Sequence, residues 1–243
     1  MNKKILWKIE ELWNKNERSI FNNPNQHLNL QKLKIKNNYS DSGVSKYYPR
    51  FHLVNSFEFT QGIKNVFEDD YGSYKGLKKL QLIIKDKPIY LFDNHNEMIY
   101  PLVEIYESVP KSSLSVVHID AHPDDALFHG EKPKLLTSIG TKNLISRTRI
   151  SDFFDALSET KIINNIYRVT HSDSFEFFLP PDEPYILSLD IDIFGPEGNF
   201  VELKDKVSAI KKAWNGAAVV CIATSPGFID QDFAREIIEI FRR

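Results

Sequence analysis

Asp120, His122 and Asp124 stand at alternate positions in the segment His118-Ile119-Asp120-Ala121-His122-Pro123-Asp124. Alternate residues of an extended segment face the same way, so three groups able to bind a cation point to one side. Asp190 and Asp192 repeat the spacing in Ser188-Leu189-Asp190-Ile191-Asp192, and His95 in Asp93-Asn94-His95 adds a second imidazole. Gathered in one pocket, these carboxylates would leave unpaired buried charge, which is costly. Two divalent ions roughly 3.5–4 Å apart, bridged by carboxylates, relieve that charge and bring hydrolytic chemistry. Oxygen-rich ligation with some imidazole and no thiolate suits Mn2+, with Fe2+, Co2+ and Zn2+ as alternatives. Alone, an Asp-x-Asp is usually a solvated turn or a helix cap, and a single histidine a hydrogen-bonded edge residue. The joint pattern is what points to metal. Cys221 lies in an apolar run and reads as a small buried residue. His118 falls mid-strand and reads as structural; His27 and His52 have no motif context, and His171 sits at a strand end without a partner pattern.

The elements that must hold these groups are legible as apolar runs. Residues 88–92, 114–119, 163–169, 185–189 and 217–223 are rich in Ile, Val, Leu or aromatics and bounded by turn signals. Runs without polar alternation suit strands buried on both faces, as in a parallel sheet. Helical patterns cover 97–108, 150–160, 201–214 and 232–241, with Gly216 as a stop just beyond the third. The alternation predicts an α/β fold, three-layer αβα with a mostly parallel sheet. Each strand runs into polar residues: Asp93-Asn94-His95, Asp120 to Asp125, Thr170-His171-Ser172-Asp173, Asp190-Ile191-Asp192 and Thr224-Ser225-Pro226-Gly227. Open α/β sheets bind ligands outside the carboxyl ends of their strands, so the metal site is expected there.

The 243 residues, 42% hydrophobic and 26% charged, suffice for one sizeable core. A single domain is expected over residues 1–243, with an N-terminal region at 1–75 and a metal-binding α/β core at 76–243. In the first region, residues 3–18 read as an amphipathic helix carrying Ile5, Leu6, Ile9, Leu12 and Trp13. Residues 19–41 read as loop or weak structure. The aromatic cluster Tyr47, Tyr48, Phe51, Phe57 and Phe59 fits packing against the sheet or, alternatively, a recognition surface. The 31 basic and 33 acidic residues leave a formal charge of -2, with no footprint for nucleic acid. A lone cysteine cannot form an internal disulfide and fits a reducing compartment. No apolar run approaches the roughly 20 residues that span a bilayer, and Glu10 and Glu11 interrupt any signal-peptide core. The expected location is cytoplasmic, away from membranes.

At these residues the sequence resembles the arginase/deacetylase superfamily. The ureohydrolase branch carries Asp-Ala-His-x-Asp, matched by Asp120-Ala121-His122-Pro123-Asp124. It also carries Ser-x-Asp-x-Asp followed by Pro, matched by Ser188-Leu189-Asp190-Ile191-Asp192 and Pro196, and a Gly-Asp-His approximated by Asp93-Asn94-His95. The likeness covers about residues 87–230. Leu91 to Asn96, His118 to Asp124 and Ala223 to Asp230 resemble, more closely, an atypical arginase-like family. That family includes the peptide arginases of ribosomal peptide natural-product (RiPP) biosynthesis, which convert arginine side chains in a precursor peptide to ornithine and release urea. The resemblance implies an arginase-like fold and two manganese ions. His95, Asp120, Asp124 and Asp190 would bind one; His122, Asp120, Asp190 and Asp192 would bind the other, with Asp120 and Asp190 bridging. It implies a hydroxide between the ions that attacks the guanidinium carbon, oriented by Asp124, and His129 as proton shuttle.

The departures from the family concern the substrate. Free-arginine enzymes have a longer loop before the shuttle histidine, with Ser and Asn groups that clamp the α-amino and α-carboxylate groups. Here only Asp125, Ala126, Leu127 and Phe128 intervene, and peptide-embedded arginine needs no such clamp. Arginases place a Glu on the last strand against the guanidinium; the stretch Ile222 to Pro226 has none, leaving Asp230, Glu97 and His171 as substrate-binding candidates. Gly195 replaces an Asp of the longer ureohydrolase motif. The expectation is a manganese-dependent hydrolase whose partner is an arginine-containing precursor peptide. The alternatives are a deacetylase-type amidohydrolase with a single zinc and a non-catalytic peptide-binding protein on the same fold. Oligomers are common in the superfamily, so a homo-oligomer is compatible with the resemblance, though no segment specifies an interface.

Overall fold

The structure is a computed structural model that describes residues 2–15, 51–58, 61–67, 73–77, 80–108, 114–135 and 138–243. In chain order its elements are helix α1 (Asn2–Asn14), strands β1 (Phe51–Leu53), β2 (Gln61–Phe67), β3 (Ser73–Leu77), β4 (Leu80–Ile84) and β5 (Pro88–Phe92), and helix α2 (Ile99–Ser108). There follow β6 (Leu114–Ile119), α3 (Ser138–Ile145), α4 (Phe153–Ala156), β7 (Ile163–Val169), α5 (Ser172–Glu176), β8 (Tyr185–Asp190), α6 (Leu203–Gly216), β9 (Val219–Ala223) and α7 (Gln231–Arg242). All five strands expected from the sequence are present. They form the parallel block β5-β9-β8-β6-β7 of a seven-stranded sheet. The sheet continues beyond β5 with β4, which is antiparallel to it, and β1, which is parallel to β4. The β2–β3 hairpin stands as a separate pair.

The connections set the position of the site. From β6 the chain moves to β7 on one side, then returns to β8 on the other. The gap between β6 and β8 is therefore a switch point, where carboxyl-end loops diverge and leave a crevice. Asp120 follows β6 and Asp190 ends β8 at that gap.

Side chains alternate across the sheet, as the pleat requires. Ile89, Leu91, Val117, Ile119, Leu187, Leu189, Val220 and Ile222 face one core, which α1, α6 and α7 cover with Leu6, Ile9, Ile210, Trp214, Ile237 and Phe241. Tyr90, Phe92, Val116, Ile186, Val219 and Cys221 face the other, closed by Met98, Leu102, Val103, Leu144 and Phe153. Helices thus lie on both faces of a mostly parallel sheet. The N-terminal helix is held by Trp13, whose ring centroid lies 4.5 Å from that of Phe241, and by Lys211, whose Nζ donates to Trp13 O at 2.6 Å.

Three expectations need adjusting. Strand β7 is the sheet edge and is half-buried to exposed over most of its length, not covered on both faces. The helix expected over 150–160 shrinks to α4 and one 3-10 turn, Ser158–Thr160, ended by Lys161 at φ 57°. Gly216 is the last residue of α6, not the stop beyond it. Of the aromatic cluster, Phe57 is buried in the first core and Phe51 lies in β1. Tyr47, Tyr48, Phe59, His27 and residues 19–41 lie outside the described residues. Among the described residues, no helix is long and apolar enough to cross a membrane.

Candidate metal centre

The β5 end is locked before it reaches the site. Leu77 N donates to both Asp93 carboxylate oxygens (2.9 and 3.1 Å), and Thr224 Oγ1 donates to Oδ1 at 3.2 Å. Glu97 Oε2 accepts the backbone N–H groups of Asp93 (3.1 Å) and Asn94 (3.2 Å), closing the 3-10 turn His95–Met98 from inside. That turn delivers the His95 ring to the centre of the crevice. His95 Nε2 is held by Ser188 Oγ at 2.7 Å, which leaves Nδ1 facing three carboxylates. Asp120 Oδ2 lies 2.8 Å from it, Asp124 Oδ2 3.1 Å and Asp190 Oδ2 3.3 Å. One ring nitrogen cannot donate to three acceptors. Such convergence is what a cation of small radius would organise.

The remaining ligand candidates close a second group. After β6, Asp120 Oδ1 accepts His122 N at 2.7 Å, which folds the chain back on itself. After β8, Asp190 Oδ1 accepts Asp192 N at 2.9 Å, and Asp190 Oδ2 accepts Ser225 Oγ at 2.6 Å. His122 Nδ1 then lies 2.9 Å from Asp192 Oδ2 and 3.3 Å from Asp120 Oδ1. All six sequence-derived ligands line one cavity of about 260 Å³, with Pro123, Asp125, Ala126, Ile150, Ser151 and Phe228.

Among the described residues, two groups each have potential ligand atoms that all lie within 4.8 Å of one another: His95, His118, Asp120 and Asp124 in one, and Asp120, His122 and Asp192 in the other. The buried first set could hold a metal ion. His118 belongs to it, although the sequence placed this residue in a purely structural role. Its Nε2 is 3.6 Å from Asp120 Oδ2 and 3.2 Å from His122 O, and its buried Nδ1 has no hydrogen-bond partner. The signal for it was the alternation rule carried one step back, since His118 and Asp120 share a face.

The electrostatics describe a site with surplus negative charge. Burial, then the nearby Asp120 charge, raises the Asp124 carboxyl to about 7. Burial and the charges of Asp120 and Asp190 push Asp192 well above the usual carboxylate range. Asp120 resists the same desolvation because His122 and His95 donate to it, and it is held below that range. The carboxylates of Asp120 and Asp192 close to its Nδ1 lift His122 to about 12, whereas burial pushes His118 down to about 3. Asp124 Oδ2 and Asp192 Oδ2 sit near imidazole nitrogens yet accept no well-directed hydrogen bond. Buried carboxylate oxygens without donors fit a divalent cation. Asp124 (φ 45°) and Ser225 (φ 44°) also hold left-handed backbone here, a cost that folds tend to bear at functional sites.

The other candidates fall elsewhere. His129 is exposed in an adjoining cavity of about 490 Å³ with Arg147, Arg149 and Asp152, which shares Ala126 and Ser151 with the ligand cavity. Glu97 is occupied by the backbone of its own turn. Asp230 is exposed and caps α7, accepting Phe233 N at 2.9 Å. His171 is exposed at the start of α5, its N–H bonded to Ser174 Oγ at 2.9 Å. None of these three lines the ligand cavity.

No family model, curated protein or solved structure matches the chain.

Proposed function

We propose that the chain is a binuclear metal hydrolase of the arginase type that converts arginine side chains in a peptide to ornithine and urea. The observation that carries this reading is the pair of His/Asp clusters joined through Asp120 in one cavity. Five aspartates line that cavity and no lysine or arginine does. Even two divalent ions would not neutralise five carboxylates, so the cavity favours a cationic substrate group such as guanidinium. The sequence resemblance supports manganese and the arginase-like relationship of the fold.

His95, Asp120, Asp124 and Asp190 would hold one ion, with His118 beside them; His122, Asp120, Asp190 and Asp192 would hold the other. Bound there, the ions would supply a water-derived nucleophile near neutral pH and a Lewis acid for the guanidine. The chain's own groups supply the rest. Asp124 Oδ2 is an acceptor without a donor and would orient the attacking water and take its proton. Asp125 is the one acidic lining residue outside the six ligands and would meet the guanidinium, in place of Asp230 and Glu97. His129, exposed in the adjoining cavity, would pass protons to solvent. The short link from Asp124 to His129 leaves that second cavity open, giving peptide flanks room where an amino-acid clamp would otherwise stand.

Mass spectrometry of paired reactions tests this. Manganese-loaded protein is given free arginine in one tube and arginine-containing peptides in the other. Ornithine forming within peptide, with a loss of mass matching cyanamide (urea leaving, water entering), is the expected result. Ornithine from free arginine would retain the chemistry and sink the peptide assignment. Unchanged arginine in both tubes, with two ions bound per chain, would refute the guanidine reading and direct attention to acylated amines.

A further inference from the structure

The structure assigns Glu197 as the residue that fixes the orientation and tautomer of His122, and through it the affinity of the second cluster for its ion. The assignment rests on the binuclear reading above. Among the described residues, no other carboxylate contacts His122 Nε2: Glu197 Oε2 bonds it directly. On the opposite nitrogen, Asp192 Oδ2 is 2.9 Å from Nδ1. The imidazole thus lies between the carboxylates of two residues of one short segment, hydrogen-bonded to Glu197 and close to Asp192.

That segment is closely packed. Two consecutive 3-10 turns, Ile191–Phe194 and Pro196–Phe200, follow β8; the first carries Asp192 and the second Glu197. Gly195 N donates to Asp192 O at 2.6 Å. A Cβ at Gly198 would lie 1.9 Å from Ile193 O, and one at Gly195 would lie 2.8 Å from Phe228 O. Only glycine lets the turns approach this closely, so the spacing between the two carboxylates is set by backbone packing. Asp120 Oδ1 also lies 3.3 Å from Nδ1, and no carboxylate of the described residues other than Glu197 reaches Nε2. Its side chain is 35% exposed, with Phe228 as a ring neighbour at 5.4 Å.

The chemistry follows from the imidazole itself. When Nδ1 gives its lone pair to a cation, the single remaining proton sits on Nε2 and needs an acceptor. A carboxylate there fixes the tautomer and raises the basicity of the ligating nitrogen. His95 has a different arrangement, with the buried Ser188 hydroxyl on Nε2. The two clusters should therefore differ, the one around His95 being held by buried groups and the one around His122 by a carboxylate 43% exposed to solvent.

The test is Mn2+ titration of the metal-free full chain, following unbound Mn2+ by electron paramagnetic resonance. The wild type is expected to take up two ions. Glu197→Ala should weaken one of them by about 10–100-fold and leave the other unchanged. Glu197→Gln, which keeps an acceptor oxygen without the charge, should fall between. In spectra of the 15N-histidine-labelled protein loaded with diamagnetic Zn2+, the protonated Nε2 of His122 should lose its protection in the alanine variant. Equal weakening of both ions, or no weakening of either, would overturn the assignment. A wild type that binds fewer than two ions would overturn the binuclear reading instead, and that result precedes any comparison of variants.

Discussion

Replacing Asp124 with asparagine should cut turnover by about a thousandfold or more, yet leave the metal-free protein more stable at pH 8 than the wild type. The two effects have one cause. Asp124 is buried among Asp120 and Asp190, and desolvation lifts its carboxyl to about 7. In the absence of cations its charge is a cost, which an uncharged residue of the same shape removes, giving about 1–2 kcal/mol. Asparagine also tolerates the left-handed backbone found there (φ 45°), whereas most residues would add strain. The loss of activity reflects the missing acceptor for the water proton, which by itself is worth about 10²–10⁴-fold, together with a weakened ion site. Peptide affinity, measured by anisotropy of a labelled peptide, should change little. A fully active variant would end the assignment for Asp124. A variant that melts well below the wild type would mean that the carboxylate serves the fold, not the reaction.

Metal-free protein should melt lower at pH 8 than at pH 5.5, by about 5 °C or more, and saturating Mn2+ at pH 8 should more than reverse the loss. The sign comes from which state binds more protons. Asp124 is raised to about 7 in the folded chain from an ordinary 3.8, so its protonated form stabilises the fold below about 4, and that contribution is lost as pH rises to 7. Asp192 is displaced in the same direction. His122, lifted to about 12, gives stability that is complete below 6.5 and erodes above it. Asp120 shifts downward, so its contribution is constant over this window. His118, pushed down to about 3, opposes the trend between 5.5 and 6.5, and His95, raised well above its usual value by the carboxylates around it, offsets that opposition. Each pH unit across one such group is worth up to about 1.4 kcal/mol, and each kcal/mol moves a chain of this size by about 2–4 °C. Ions bound only by the folded state add about 2.7 kcal/mol per site at a hundredfold excess over Kd. Thermal melts after chelation and after reloading check both halves. A flat pH profile, or no rise with Mn2+, would contradict the surplus-charge description of the site.

Most of the site was readable because its chemistry coincides with strand ends. The apolar runs closing at Phe92, Ile119 and Leu189 needed no tertiary information, since continuous Ile, Val and Leu mark strands covered on both faces. Five of the ligands stood at i, i+2 spacing just past those ends, but the extended segment expected there is absent. The chain turns at Asp120–His122, Asp124 is left-handed and Asp192 sits in a 3-10 turn, and it is the turns that gather the side chains. What escaped depends on contacts distant in sequence. Strand β4 is antiparallel to β5 across a tight turn, and nothing in Leu-Gln-Leu-Ile-Ile states its direction. Glu197 sits in Gly-Pro-Glu-Gly-Asn, an ordinary turn composition, and reaches His122 only because Gly198 lets one turn nest on Ile193. Glu97 and Asp230 looked like free carboxylates in sequence but are consumed by nearby backbone N–H groups, the usual fate of acids beside helix starts.

The strand order has a consequence for how the molecule comes together. Strand β9 lies between β5 and β8, so the ledge bearing His95 and the one bearing Asp190 are joined by a strand synthesised after both. Its neighbour β5 precedes it by about 130 residues, as the hydrogen bond between Thr224 and Asp93 across 131 positions records. Closing so long a loop is slow and is rewarded only at the end. A nascent chain stopped short of residue 217 would contain all six ligands, but the ledge bearing His95 would lack the strand that joins it to β8. Assembly of the His95 cluster is thereby tied to insertion of β9, whereas Asp120, His122 and Asp192 stand on the directly paired ends of β6 and β8 and come together without it.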